Sequence, residues 1–107
     1  MRIGGLQASK KKDKRYVIHI VDENKVKSYN FGLKGGETFI DHKDEAKRLA
    51  YLARHMSPGS KEKELIENLI PSPALFSAVL LWGRQPTLSQ NVADLQKMFE
   101  VKYNKDK

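Results

Sequence analysis

The chain reads as a single α+β domain, an N-terminal β-hairpin followed by about four short α-helices, with basic tails at both ends. Three observations predict this. Residues 14–33 alternate at period two around a turn, residues 41–99 carry apolar side chains at helical spacing, and 107 residues leave room for one core only. The expected boundaries are a flexible basic arm over 1–14, the folded domain over 15–101 and a basic tail over 102–107.

Residues 1–13 (MRIGGLQASKKKD) combine a glycine pair, small polar residues and a lysine run, a composition expected to stay flexible. From Lys14 to Asp22, Tyr16, Ile18 and Ile20 alternate with Val17, His19 and Val21, and Lys25 to Leu33 alternates again. Asp22, Glu23 and Asn24 between them supply the turn of a hairpin. Gly32, Gly35 and Gly36 follow without a GK[ST] or GxGxxG pattern, so they are expected to shape a turn rather than cradle a phosphate. Thr38, Phe39 and Ile40 suggest a short third strand.

A helix is expected over Asp41–Met56, capped by Asp41, with Ala46, Leu49, Ala50, Ala53 and Met56 as its buried stripe. Ser57-Pro58-Gly59-Ser60 ends it, and Ser60 starts a second helix over Lys61–Leu69. Pro71-Ser72-Pro73 breaks that helix. Ala74–Trp82 is apolar all round and predicts a third helix, buried in the domain or at an interface. Thr87-Leu88-Ser89-Gln90 is a capping box, after which Leu88, Val92, Leu95 and Phe99 form an amphipathic seam.

The formal charge is +7 and is uneven. Residues 1–15 carry six basic side chains against Asp13, residues 102–107 carry three against Asp106, and the stretch between is balanced. Basic ends suit a polyanion or an acidic partner surface. Lys10, Lys11, Lys12, Lys14 and Arg15 are therefore the expected contacts, and non-specific phosphate contact follows if the partner is nucleic acid. Trp82 with Phe76 and Arg84 forms the expected protein interface, since Trp and Arg anchor interfaces most often.

The sequence also excludes chemistry. It holds no cysteine, which removes disulfides, thiolate zinc sites and cysteine nucleophiles. His19, His42 and His55 are scattered over a strand and the two ends of one helix, so no metal site is expected. There is no GxSxG and no isolated carboxylate pair, so no catalytic residue and no cofactor is expected. No zinc-finger, RNP-like or helix-turn-helix signature marks a sequence-specific nucleic-acid reader. No apolar run reaches the ~20 residues of a membrane span, and the first residues lack the apolar region of a signal peptide.

Five short motifs occur in order: Phe31-Gly32, His42-Lys43-Asp44, Arg54-His55, Leu80-Leu81-Trp82 and Pro86-Thr87-Leu88. In this order and spacing, over about residues 16–99, the chain resembles a family of small uncharacterised proteins of nucleocytoplasmic large DNA viruses. It departs from that pattern at Phe76-Ser77-Ala78-Val79, where family members are richer in aromatics. The resemblance implies a viral structural protein without enzymatic activity, expected to be a minor capsid or virion component. Its implied partners are other virion or capsid proteins, and its implied location is the virion, with the host cytoplasm during assembly. The alternative expectation is a non-specific nucleic-acid-binding or genome-packaging protein that uses the lysine-rich arm.

Overall fold

A computed structural model describes residues 1–103. Three antiparallel strands come first: β1 (Arg2–Ala8), β2 (Lys14–Asp22) and β3 (Lys25–Leu33), ordered β1-β2-β3. Five helices follow: α1 (Phe39–His42), α2 (Glu45–His55), α3 (Lys61–Glu67), α4 (Pro73–Phe76) and α5 (Leu88–Tyr103). Between α4 and α5 the chain widens into a π-type turn over Ser77–Leu81, closed by Trp82 N–H donating to the Ser77 carbonyl at 3.1 Å. The fold class is α+β.

The sheet turns one face to the helices because its bulky residues share that face, Tyr16, Ile18 and Ile20 of β2 beside Tyr29 and Phe31 of β3. Ile18 and Ile20 of β2 and Phe31 of β3 are buried, as are Leu75, Phe76, Leu80, Leu81, Leu95 and Phe99 from the helical half. Phe76 sits against Phe31 and Tyr29 with ring centroids 5.8 and 5.4 Å away. Gly32, at φ +79°, lets β3 pass beneath the helical layer: a Cβ there would lie 2.9 Å from the Leu81 side chain.

Several expectations are corrected by long-range contacts. Half of the segment expected as a flexible arm is strand β1, which pairs with the free edge of β2 from Arg2↔Val21 to Ala8↔Tyr16 around an irregularity at Ile3/Gly5. The Ile3 amide is also held by Gln96 Oε1 of α5 at 2.8 Å, and Ile3 and Leu6 pack on the core. The hairpin is thereby a three-stranded meander.

Thr38–Ile40 is no strand: Phe39 and Ile40 open α1 instead. The helix expected over Asp41–Met56 is split at Lys43, whose φ is +56°, and Asp44 rather than Asp41 caps the long part by accepting from Ala46 and Lys47. Asp41 is engaged elsewhere, by Arg15. Pro73 at the first position, with Ser72 as cap, begins the third apolar segment one residue early, and its second half takes the wider turn.

The seam of α5 is buried as its spacing predicts, with Leu95 and Phe99 fully shielded and Leu88 and Val92 packed beside them. Its last turn is tied to the end of α3, where Lys102 Nζ donates to the Asn68 carbonyl and the Tyr103 hydroxyl to the Leu69 carbonyl. Lys102 thus belongs to a helix, while residues 104–107 of the expected basic tail lie outside the described residues. No described helix is long and apolar enough to cross a membrane.

Candidate functional site

Helix α2 docks on the body through polar and aromatic residues. Arg48 Nε donates to the carbonyls of Trp82 and Gly83 at 3.1 and 3.0 Å, while its Nη1 pairs with Glu45 at 2.9 Å. Tyr51 lies flat on Trp82, centroids 4.3 Å apart and planes 4° apart. His42 leans on Trp82 at 5.4 Å, and His55 stacks on Tyr51 at 4.1 Å. His55 Nδ1 then meets Glu62 Oε2 of α3 at 2.5 Å. One row of rings therefore links α1, the segment after the π-type turn and α2, and the His55–Glu62 pair joins it to α3. Burial, and secondarily the Glu62 charge, pushes the Tyr51 phenol up to about 12.

Gly83 and Asn91 fix the path of the chain just beyond Trp82. A Cβ at Gly83 would sit 2.2 Å from the Val79 carbonyl oxygen, so only glycine passes here. Asn91, 1% exposed, donates to the carbonyls of Leu80 and Gln85 and accepts from the Gln85 amide, which satisfies its buried amide group.

Beside this bend a groove of about 420 Å³ opens between α2, α3, the π-type turn and α5. Its walls are Leu52, Met56, Ile66, Val79, Trp82 and Met98, with Arg84, Asp94 and Lys97 at the rim. The Asp94 carboxylate accepts from Gln85 Nε2 at 3.3 Å. Arg84 and Lys97 are exposed, and neither pairs with an acidic side chain among the described residues. The groove has the size of a small-ligand or anchor-residue pocket and is walled by two adaptable methionines.

The expected contact residues divide. Trp82 and Arg84 both line the groove. Phe76 does not: at 0% exposure it is core, because the sheet face covers the side that the sequence left open. Lys10, Lys11, Lys12 and Lys14 are exposed and gathered around the β1–β2 turn. Arg15 is not available with them. Its guanidinium forms a two-pronged pair with Asp41 at 2.6 and 2.7 Å and also donates to Thr38 Oγ1. That pair, reinforced by the Thr38 amide and hydroxyl, holds the Asp41 carboxyl well below the usual carboxylate range.

Sequence reasoning missed Tyr51, Leu52, His55, Met56 and Met98 as surface-forming residues. Arg48, Tyr51 and His55 follow helical spacing on α2, but the alanine-rich stripe beside them looked more like a core face. A second cleft contains the His55–Glu62 pair and Ser77, yet no serine hydroxyl hydrogen-bonds His55 among the described residues. No group of three or more potential metal ligands occurs among the described residues.

Residues 4–55 match the model of a family of unknown function, DUF5754, a match that runs from within β1 to the end of α2 and covers just under half of the chain. No curated protein and no solved structure matches the chain.

Proposed function

We propose that the protein is a non-enzymatic structural component of a virus particle, a minor capsid or virion component, that docks on another particle protein through the groove beside Trp82. The observation that carries the docking is the groove's make-up: apolar walls and a rim where Arg84 and Lys97 pair with no acidic side chain among the described residues, while Asp94 accepts from Gln85. Such a surface fits a segment that inserts one or two large apolar side chains and carries acidic residues beside them. The viral setting rests on the resemblance of the five ordered motifs.

The test is incorporation into particles. The chain is expected in purified virions in constant ratio to the shell proteins, and Arg84→Glu with Lys97→Glu is expected to abolish its recovery there without unfolding it. Absence from purified particles overturns the virion reading. Undiminished recovery of the charge-reversed variant overturns the groove as the docking site.

A further inference from the structure

The four lysines of the β1–β2 connection are held in a defined place. Ser9, 8% exposed, anchors the turn: its amide donates to the Arg15 carbonyl, its hydroxyl donates to Asn30 Oδ1 at 2.5 Å, and it accepts from the Lys11 amide at 3.0 Å. The Lys14 amide closes the turn onto the Lys11 carbonyl. The Lys34 amide donates to the Asp13 carbonyl, which brings a fifth exposed lysine beside the other four.

The ion pairs among the described residues join Arg15 to Asp41, Arg48 to Glu45 and His55 to Glu62, so none neutralises these lysines. Five lysines gathered here against the single carboxylate of Asp13 repel one another, and a polyanion relieves that repulsion. We propose that this tip is a binding site for the phosphate backbone of a nucleic-acid duplex.

The sheet distinguishes a duplex from a single strand. Single-strand binders stack bases on exposed aromatic rings. Here Tyr16, Tyr29 and Phe31 all face inward, in the ring cluster around Phe76, and the opposite face offers Val17, His19 and Val21. At the tip the end of β3 lies beside the β1–β2 turn, with Leu33 opposite Lys14, so the lysines form a blunt edge that meets phosphates on the outside of the duplex without entering a groove. Lysine ammonium groups read charge rather than base edges, so the contact is independent of sequence.

An anionic bilayer is disfavoured. Residues 9–14 include no apolar side chain to enter it, and Leu33, exposed opposite Lys14, is a single aliphatic residue at the tip. The tip shares no residue with the groove beside Trp82, so either site stands if the other fails.

Fluorescence anisotropy of the full chain with a labelled duplex of about 20 base pairs tests the site, with oligo-dT of equal length and phosphatidylserine vesicles as competitors. Four or five phosphate contacts give a log–log salt slope of about −4, with unrelated duplex sequences bound alike. Changing Lys10, Lys11, Lys12 and Lys14 together to Gln should weaken duplex binding at least ~30-fold and flatten most of that slope. Arg84→Gln with Lys97→Gln should leave it unchanged. No duplex binding at low salt, equal binding by the lysine variant, or preference for oligo-dT or vesicles would each overturn the proposal.

Discussion

Helices α5 and α2 both carry an apolar stripe at helical spacing, yet they are built into the molecule in different ways. In α5 the stripe is the contact surface, and Leu95 and Phe99 are 0% exposed. In α2 no residue is fully buried: Ala46, Ala50 and Ala53 face solvent, and Leu49 is 58% exposed. The face of α2 that meets the body is the adjacent one, with Arg48, Tyr51 and Leu52.

Surface area explains the difference. A stripe of alanines buries little on contact, whereas one aromatic side chain buries 150–250 Å², worth several kcal/mol at about 25 cal/mol per Å². The flat indole of Trp82 gives Tyr51 that area, and the carbonyls of Trp82 and Gly83 give Arg48 two acceptors. Amphipathic spacing thus identifies a helix, while the neighbour with most to offer decides which side of it is used.

The largest expected effect lies in α5. Phe99→Ala should destabilise by about 3–5 kcal/mol, because the ring is wholly enclosed and leaves a cavity. A denaturant melt measures this, and a loss below about 1 kcal/mol would remove the contrast between the two helices.

Trp82→Ala should cost less, about 2–3 kcal/mol, since the indole is only half-buried but carries the stack on Tyr51. The same substitution should return the Tyr51 phenol from about 12 toward its ordinary value near 10, read by absorbance titration. The sign follows from linkage. The folded phenol is the weaker acid, so the stability it confers is intact below pH 10 and is lost as pH rises from 10 toward 12. Thermal melts across that window should therefore fall more steeply for the parent chain than for Trp82→Ala.

The smallest effect should come from Leu49→Lys, within about 0.5 kcal/mol, because the side chain already faces water. A cost of several kcal/mol in the same melt would place the alanine stripe against the core after all.

Local chemistry determined what could be read along the chain. The alternations of β2 and β3, the turn at Glu23–Asn24, the caps Ser60 and Thr87 and the seam of α5 all lie within a few residues of the groups they satisfy. The basic residues around 10–15 and the solitary Trp82 stood out by composition alone.

Tertiary structure decided the rest, since each remaining feature depends on a partner far along the chain. Strand β1 exists because β2 had a free edge and α5 supplied Gln96. Arg15 left the lysine cluster because Asp41, 26 residues away, offered a two-pronged acceptor. Phe76 became core because Tyr29 and Phe31 close over it, and the groove took its form from residues of four separate segments. A side chain's neighbours within a turn are encoded by spacing; its burial is set by which distant surfaces arrive, and spacing carries no record of them.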